Sequence, residues 1–517
     1  MKDLSVVGKS SNNEEAIFLT KMANRHGFIG GATGTGKTVT LKHLCESFSD
    51  LGVPCFLSDI KGDLSGFVLK GYPVNFYDIY KERGIPLRCS ITEMGPELLS
   101  RIMNLSKVGT EVLKVAFKIA DDNELLLLDT KDLKKMLSWI AENKKELSKE
   151  YGSLDEKSIN TIIRNIIALE TEGADEFFGE PSIDINDFIL HDANNKGMIN
   201  ILNAKSLINR PRLYSAFMLY LLSALFEMLP EVGDLEKPKL VFFFDEAHLL
   251  FSNADKELIE LIQQTVKLIR SKGVSIFFIT QNPNDIDNAV LSQLSNKIEH
   301  GLRAYTPAEK KKIKAIADSF RENKGFDVES EIENLGTGEA VVSFLDEKGI
   351  PTPAMKIKVC AAKSMDANVK DEDLKTLIET SVLYAKYKTV LDKESAYEKL
   401  SSIVTANASN NSDVNVSQNI NDEIQTSKSV SEKKKSNSKT KVSKDDMGST
   451  ISGIKIPKEL KKIINSAIQT TGTTVGRSLG SSLTKGSSNT LYKRTVTNVS
   501  SSLARNLLGT LSKQLFK

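Results

Sequence analysis

The sequence predicts an α/β fold built on a largely parallel sheet, and three observations lead to this fold class. A glycine-rich loop at residues 31–38 stands between a short apolar run and a helical pattern, as in a strand–loop–helix unit. Strand-like apolar runs then alternate with helical segments over residues 53–345, which is typical of a parallel sheet with helices on both faces. A long amphipathic stretch near residues 90–190 indicates a helical insertion.

The first element that carries chemistry is the loop "GATGTGKT", which satisfies the pattern G-x-x-x-x-G-K-[ST]. Its glycines allow backbone N–H groups to surround a phosphate chain at the positive end of the helix that follows. We expect Lys37 to contact the β- and γ-phosphates of ATP and Thr38 to offer its hydroxyl to Mg²⁺. The predicted nucleotide-binding residues are Gly31, Ala32, Thr33, Gly34, Thr35, Gly36, Lys37 and Thr38.

Further strands are predicted in chain order. "VPCFLSDIKGD" and "YPVNFYDI" are β-rich, and Asp59 and Asp63 follow the first of these runs without a role that the sequence defines. "GMINILN" returns to strand after the helical insertion, and "PRLYSAFMLYLLSALFEMLP" predicts an apolar helix that packs on the sheet. The last predicted strands lie in "KLVFFFDEAHLLF", "VSIFFITQNP", "NKIEHGLRAY" and "GEAVVSFLD".

Two acids end the apolar run "LVFFF". Beside a phosphate loop, an acid at a strand tip holds the Mg²⁺ shell, so Asp245 is the predicted metal residue together with Thr38. Glu246 is placed to orient and deprotonate a water in line with the γ-phosphate, so it is the predicted general base. For His248 the sequence leaves open a nucleotide-sensing role and a packing or capping role.

Gln281 is the second predicted catalytic residue, because it follows an apolar strand at the end where ligands of open α/β sheets collect. A glutamine there donates to the γ-phosphate or holds the attacking water, and a purely structural amide is the alternative. Arg270 precedes this strand in "KLIRSKGVS", and we expect it at the ligand-facing edge of the sheet. Arg303, in "GLRAY", is a second candidate arginine.

The segments "GGATGTGKT", "FFFDEAH", "LIRSKGVSIFFITQNP" and "LGTGEAVVSFLD" resemble, in their order and spacing, the HerA/FtsK group of P-loop motor ATPases. The resemblance covers about residues 25–397 and is strongest to the HerA-like bacterial proteins of the YjgR group. It implies a RecA-like P-loop domain that hydrolyses ATP with Mg²⁺ in a homo-oligomer, most often a hexamer. In addition to the roles above, it implies that Arg270 acts on the nucleotide of a neighbouring subunit.

Two features of the group are not expected in this sequence. About thirty residues precede the phosphate loop, too few for the β-barrel domain that HerA proper carries there. The membrane anchor and the DNA-reading winged helix of FtsK-like translocases are also not evident. The resemblance therefore extends to the motor core and leaves its track undefined.

The composition also indicates the cysteine chemistry and the cellular location to expect. Cys45, Cys55, Cys89 and Cys360 form no C-x-x-C pair, so neither a zinc site nor a disulfide framework is predicted. Eighteen apolar residues never run together, and the N-terminus has no secretory pattern. We therefore expect a cytoplasmic protein without a transmembrane segment.

Charge divides the chain unevenly. Residues 451–517 hold eleven Lys or Arg against the single acid Glu459, about +10, whereas residues 1–400 carry about −9. Residues 401–450 are rich in Ser, Asn and Lys and without aromatics, which predicts a disordered linker. The expected organisation is a lead-in at 1–24, an ATPase domain at 25–400, the linker, and a basic tail at 451–517.

Two functions remain open at this point. The first is an oligomeric ATPase that translocates along or remodels duplex DNA, with the tail adding phosphate contacts. The second is a cytoplasmic ATPase that remodels or regulates a protein partner without a nucleic-acid track. A small-molecule kinase is disfavoured, because Asp245, Glu246 and Gln281 together suit the activation of water. The tail itself suits nucleic acid, acidic lipid or a protein, and the sequence does not decide among them.

Overall fold

Twelve β-strands form one sheet in the part of the chain that the computed structural model describes, residues 4–402 without 208, 252–255 and 365–368. The predicted linker and basic tail lie outside the described residues. The strands are β1 Leu4–Lys9, β2 Glu15–Leu19, β3 Gly27–Gly30, β4 Cys55–Asp59, β5 Val74–Asp78, β6 Ile85–Pro86, β7 Ile199–Asn203, β8 Leu240–Phe244, β9 Val274–Thr280, β10 Asn296–His300, β11 Glu339–Ser343 and β12 Met355–Val359.

Eight neighbouring strands are parallel, in the order β6-β5-β7-β4-β8-β9-β3-β10. The predicted α/β fold with a parallel sheet is therefore confirmed. The other four strands extend the sheet beyond β10 in antiparallel pairs, in the order β11-β12-β1-β2. The sequence does not predict this antiparallel extension.

Residues 4–25, which include most of the predicted lead-in, contribute two strands to the sheet. They form β1, β2 and a 3₁₀ helix at Thr20–Arg25, and β1 pairs with β12 near the other end of the described chain. The physical reason is the alternation in β2, where Ala16 and Phe18 are buried and their neighbours are not. One face of this strand is therefore part of the core.

Helices cover both faces of the sheet. They are α1 Lys37–Asp50, α2 Gly66–Leu69, α3 Ile91–Ile102, α4 Lys107–Asp122, α5 Thr130–Glu142, α6 Lys144–Tyr151, α7 Glu156–Thr171, α8 Ala174–Phe177, α9 Pro211–Met228, α10 His248–Phe251, α11 Lys256–Ile269, α12 Asn288–Leu291, α13 Pro307–Ala317, α14 Val328–Asn334, α15 Asp371–Glu379 and α16 Val382–Tyr387. Further 3₁₀ helices lie at Ile185–Ile189, Arg270–Lys272 and Pro283–Asp285. Helices α3 to α8 form the predicted helical insertion between β6 and β7.

Two hydrophobic cores result from the alternation of side chains along the central strands. Phe242 and Phe244 of β8 belong to the core that includes the insertion and α9. Val241 and Phe243 of the same strand belong to the core that α1 covers on the opposite face. Because both faces are buried, the strand is apolar throughout, and its polar residues are confined to the strand's end.

The parallel strands place their carboxyl ends at one edge of the sheet, which we call the carboxyl edge. It is formed by the ends of β3, β4, β8, β9 and β10 and by the loops that follow them. The opposite edge, where these strands begin, is called the amino edge. Ligands of open parallel sheets bind at the carboxyl edge, and most of the predicted site residues lie there.

Candidate nucleotide-binding and hydrolysis site

The phosphate loop lies between β3 and α1, at the centre of the carboxyl edge. Gly31, Gly34 and Gly36 have φ values of 141°, 78° and 126°. Residues other than glycine adopt such positive φ values only with strain. Helix α1 begins within the loop at Lys37, so its N-terminal N–H groups face the space that the loop encloses. The local sequence thus specifies an anion-binding turn.

Two contacts fix the loop to the antiparallel side of the sheet. Ala32 N–H donates to Gly301 O, just after β10, at 3.0 Å, and Gly338 N–H donates to Thr35 O at 2.9 Å. Thr35 Oγ1 also donates to Ala32 O at 2.7 Å within the loop. The loop is therefore held in shape by its own backbone and by the segments that flank β10 and β11.

Lys37 is buried within this loop, with 8% of its surface exposed. Its ammonium group donates to Ala32 O at 2.9 Å and to Gly31 O. Burial lowers the pKa of Lys37 below its ordinary value, while the carboxylates of Glu246 and Asp245 oppose that shift. The ammonium group is thus held among loop carbonyls and within the field of the two acids.

The two acids follow β8 directly, as predicted. Asp245 Oδ1 accepts the backbone N–H of Glu246 at 3.0 Å. Burial, and secondly the charge of Glu246, raise the pKa of Asp245 to about 6. Glu246 has a φ of 49°, a left-handed conformation that costs a residue with a side chain about 1–3 kcal/mol and is concentrated at functional sites.

Gln281 connects the phosphate loop to Glu246. Its amide oxygen Oε1 accepts the hydroxyl of Thr33 at 2.8 Å, and its amide nitrogen Nε2 donates to Glu246 Oε1 at 3.0 Å. The other oxygen, Glu246 Oε2, is buried, lies 3.4 Å from His248 Nδ1, and accepts no hydrogen bond from a described residue. The structure thus brings the loop, Gln281 and the predicted base into one chain of contacts, with His248 at its end.

Arg270 does not lie where the sequence analysis expects it. It lies in the 3₁₀ helix before β9, at the amino edge, and pairs with Asp234 at 3.1 Å. Because β9 has seven residues, about 23 Å separates Arg270 from the carboxyl edge at roughly 3.3 Å per residue. The expected position at the ligand-facing edge is therefore wrong, since a residue that precedes a parallel strand lies at the edge opposite to the residue that follows it.

Arg303 lies on the correct edge, just beyond β10. Its guanidinium donates to Leu335 O at 2.8 Å and also to Glu333 O, the carbonyls at the C-terminal end of α14. A cation that satisfies the last carbonyls of a helix stabilises that end. In this chain Arg303 thus connects the loop after β10 to α14.

Asp59 is the last residue of β4, the neighbour of β8, and Asp63 lies in the turn that follows. Asp59 Oδ1 accepts the backbone N–H of Gly62 at 2.6 Å, and Oδ2 accepts that of Leu64 at 3.0 Å. Asp59 is therefore used to shape the turn after β4. The cation in this turn, Lys61, acts electrostatically on Lys37 and Asp245, a proximity that sequence spacing does not reveal.

Two further buried groups at the loop are missed by sequence reasoning. Glu299 of β10 is 0% exposed and lies beside Gly30, and neither carboxylate oxygen accepts a hydrogen bond from a described residue. His300 Nδ1 donates to Glu339 O at 2.9 Å, so its Nε2 accepts the hydroxyl of Thr40 of α1, also at 2.9 Å. Burial lowers the pKa of His300 to about 4, so the ring is neutral. In the sequence, the feature that could have identified them is the presence of two adjacent ionisable residues, Glu299 and His300, in a predicted strand.

The donor chemistry fits Mg²⁺. Thr38 supplies a hydroxyl and Asp245 a carboxylate, the oxygen ligands that this ion takes together with phosphate oxygens and water. Among the described residues no group of three or more His, Cys, Asp or Glu side chains is arranged to hold a metal ion by itself. A metal held partly by a nucleotide is consistent with that finding.

The cysteines and the helix lengths are further observations on the described residues. Cys45, Cys55, Cys89 and Cys360 are free thiols. Within the described ranges, no helix is both long enough and apolar enough to cross a membrane.

Comparison with known proteins finds one matching family profile and several similar helicases. A profile of the family described as Helicase HerA-like C-terminal matches residues 5–72 and 67–514. The chain is 25% identical to the DNA double-strand break repair helicase HerA of Sulfolobus acidocaldarius over 358 residues, 65% of this chain and 66% of the relative. It is also 25% identical to the HerA of Sulfurisphaera tokodaii over 333 residues, 62% of each chain. The matched region therefore spans slightly less than two thirds of these relatives.

Solved structures show the same fold. The bacterial conjugative coupling protein TrwBdeltaN70 aligns with a TM-score of 0.50 and 16% identity, covering 70% of this chain and 90% of TrwB. VirB4 of Thermoanaerobacter pseudethanolicus aligns with a TM-score of 0.50 and 16% identity, covering 70% of this chain and 98% of VirB4. A further TrwB structure, at 18% identity and a TM-score of 0.50, is described as a complex with ADP and Mg²⁺.

Proposed function

This chain belongs to the family described as Helicase HerA-like C-terminal, and on that basis we propose that it is an ATP-hydrolysing oligomeric motor that translocates along or remodels double-stranded DNA. The observation that carries the proposal is the contact chain from Thr33 through Gln281 to Glu246, at 2.8 Å and 3.0 Å. This chain joins a phosphate loop to a buried carboxylate. Such an arrangement serves hydrolysis rather than nucleotide binding alone.

Each residue has a defined part in the proposed reaction. The loop N–H groups and Lys37 bind the phosphates, and Lys37 stabilises charge that develops on the γ-phosphate. Glu246 Oε2 accepts a proton from a water as the water oxygen bonds to the γ-phosphorus. The bond from that phosphorus to the β–γ bridging oxygen breaks, and ADP and phosphate leave. Gln281 holds Glu246 Oε1 and so orients the carboxylate.

Thr38 and Asp245 are the residues that would hold Mg²⁺. The ion, when bound with ATP, neutralises part of the phosphate charge. Asp245 is suited to this task because it directly follows β8 at the carboxyl edge, where Lys37 and Lys61 act on it electrostatically. The TrwB structure described with ADP, the product of the proposed reaction, and Mg²⁺ supports an adenine nucleotide and this ion.

Duplex DNA is the proposed track. The relatives named DNA double-strand break repair helicases support it, and the eleven basic residues of 451–517 suit phosphate contacts. We also place the protein in the cytoplasm, which the four free cysteines support. ATP turnover should therefore be measured alone and with duplex DNA, single-stranded DNA and RNA. Severalfold stimulation by duplex DNA that fades as salt rises supports the motor, and no response to any nucleic acid supports the protein-remodelling ATPase instead.

Two variants test the site itself. Lys37→Ala removes the cation buried in the loop and should abolish nucleotide binding or turnover. Glu246→Gln should keep ATP binding and slow hydrolysis by about 10² or more, as expected when a general base is lost. If Glu246→Gln weakens binding and leaves hydrolysis per bound ATP unchanged, Glu246 serves the metal or the fold instead.

The proposal includes a homo-oligomer, most often a hexamer in the resembled group, in which Arg270 acts on a neighbour's nucleotide. Arg270 lies about one strand length from its own loop, so only another subunit's nucleotide is within its reach. An arginine supplied between subunits accelerates phosphoryl transfer by about 10³ or more. Its ion pair with Asp234 at 3.1 Å would have to open for that contact.

Subunit mixing tests this arrangement. Arg270→Ala and Lys37→Ala subunits, each nearly inactive alone, are mixed under conditions that allow exchange. Where an Arg270→Ala subunit supplies the loop and a Lys37→Ala neighbour supplies the arginine, one complete site is rebuilt, so activity should partly return. If mixed oligomers form and activity does not return, Arg270 has no role between subunits, and Arg303 at the carboxyl edge is tested next.

A further inference from the structure

The hydroxyl of Thr33 contacts a residue outside the phosphate loop. Thr33 is exposed, and its Oγ1 donates to Gln281 Oε1 at 2.8 Å, across 248 residues of sequence. The other loop threonine with a recorded hydroxyl contact, Thr35, donates to Ala32 O within the loop at 2.7 Å. The two hydroxyls therefore have different roles. The Thr35 hydroxyl shapes the loop, whereas the Thr33 hydroxyl contacts Gln281, which directly follows β9, the neighbour of β8 in the sheet.

Thr33 and Glu246 impose the same orientation on the amide of Gln281. A glutamine amide can turn by 180° and exchange its oxygen and nitrogen with little change in shape. An ionised carboxylate only accepts hydrogen bonds, so Glu246 Oε1 requires the amide nitrogen at 3.0 Å. The amide oxygen is then directed to Thr33, whose hydroxyl donates to it. Without that donor, one of the two restraints on the amide is absent.

The orientation matters because Gln281 supplies the hydrogen bond that holds Glu246 Oε1. Among the described residues, none donates a hydrogen bond to the second oxygen, Oε2. The carboxylate thus has one oxygen fixed and one that is able to accept a proton. A turned amide would direct its own oxygen at Glu246 and repel the carboxylate from that position.

We propose that Thr33 is a positioning residue for hydrolysis, whose hydroxyl sets the amide of Gln281 and, through it, the carboxylate of Glu246. The inference rests on the proposed ATP hydrolysis. It assigns to the third residue of the loop a role separate from phosphate binding. Thr33 acts on the rate of the chemical step, and nucleotide affinity depends on the loop backbone and Lys37.

The test uses the full chain with Thr33→Val, which keeps the shape and removes the donor, and Thr33→Ser, which restores the hydroxyl. Both kcat for ATP and the Kd of a fluorescent ATP analogue are measured. Thr33→Val should lower kcat about threefold to tenfold, the effect of one hydrogen bond, and change Kd less than about twofold. Thr33→Ser should return kcat to near the wild-type value. Thr35→Val is the matched control, and it should weaken binding because its hydroxyl shapes the loop.

A double-mutant cycle with Gln281→Ala decides whether Thr33 acts through Gln281. In the Gln281→Ala background, Thr33→Val should have no further effect on kcat, because its partner is gone. Equal effects in both backgrounds overturn the inference, as does a Thr33→Val protein with full kcat or a Thr33→Ser protein as slow as Thr33→Val. Any of these three outcomes overturns the role of Thr33 alone, and the proposed ATP hydrolysis still stands if the wild-type protein hydrolyses ATP and the Glu246→Gln protein does not. A wild-type protein without ATPase activity overturns both.

Discussion

Glu299 offers a prediction whose size can be worked out from the structure. Its side chain is 0% exposed, and neither oxygen accepts a hydrogen bond from a described residue. Burial raises the pKa of this carboxyl well above its ordinary value of 4.5, and the charge of Lys37 opposes the shift only in part. We therefore expect the folded protein to keep the proton of Glu299 to a higher pH than the unfolded chain does. Glu299→Gln replaces the protonated acid with a neutral amide of the same shape.

The sign of the pH effect follows from proton binding. Below a pH of about 4.5 the carboxyl holds its proton in both the folded and the unfolded chain, and it contributes no pH dependence. Above that pH the unfolded chain releases the proton while the folded chain keeps it. The free energy of unfolding then falls by about 1.4 kcal/mol per pH unit until the folded pKa is reached. Between pH 5 and pH 7 the loss amounts to about 3 kcal/mol at most.

Urea unfolding followed by far-ultraviolet circular dichroism measures this loss at pH 5, 6 and 7. The stability of Glu299→Gln relative to wild type should rise with pH, because the variant has no proton to keep. Glu347→Gln, at an exposed glutamate of the turn before β12, controls for the loss of one carboxyl. If the wild-type and Glu299→Gln curves remain parallel, Glu299 is ionised in the folded state and its charge is balanced by Lys37.

Two other predictions concern the basic tail at 451–517 and Gly30. Deleting residues 451–517 should leave basal ATP turnover nearly intact, whereas any nucleic-acid affinity should weaken and depend less on salt, since several of eleven cations are lost. A filter-binding titration across salt concentrations checks this, and an unchanged slope excludes the tail as the track contact. Gly30→Ala would place a Cβ 2.3 Å from Glu299 Oε2, so it should destabilise the fold by about 1–3 kcal/mol. Thermal unfolding checks it, and an unchanged Tm would mean that Glu299 relocates without cost.

The local parts of the fold and of the site could be predicted from the sequence. The phosphate loop is a contiguous pattern, and its glycines have the positive φ values that the pattern requires. The strand before Asp245 and Glu246 is apolar throughout because both of its faces are buried. In each case a few adjacent residues determine the conformation, so no knowledge of distant partners was needed.

Long-range pairing accounts for what the sequence did not predict. Strand β1 pairs with β12, whose residues lie about 350 positions later, and an isolated alternation such as that of β2 does not identify its partner. Glu299 is similar, because its burial depends on Gly30, which lacks a side chain and lies beside it on β3. The contact between Thr33 and Gln281 likewise joins residues 248 positions apart. Such contacts depend on the order of strands in the sheet, which local patterns do not specify.

The position of Arg270 shows what a linear motif does and does not determine. Arg270 and Gln281 stand close together in sequence, and the resemblance joins them in one segment. In the fold, β9 lies between them and carries the chain from the amino edge to the carboxyl edge. Arg270 is therefore close to His26, which directly precedes β3. Burial is the main cause of the lowered pKa of His26, and the charge of Arg270 lowers that pKa further. Because the phosphate loop stands at the other end of β3, an arginine that acts on ATP from this position must act on the ATP of another subunit.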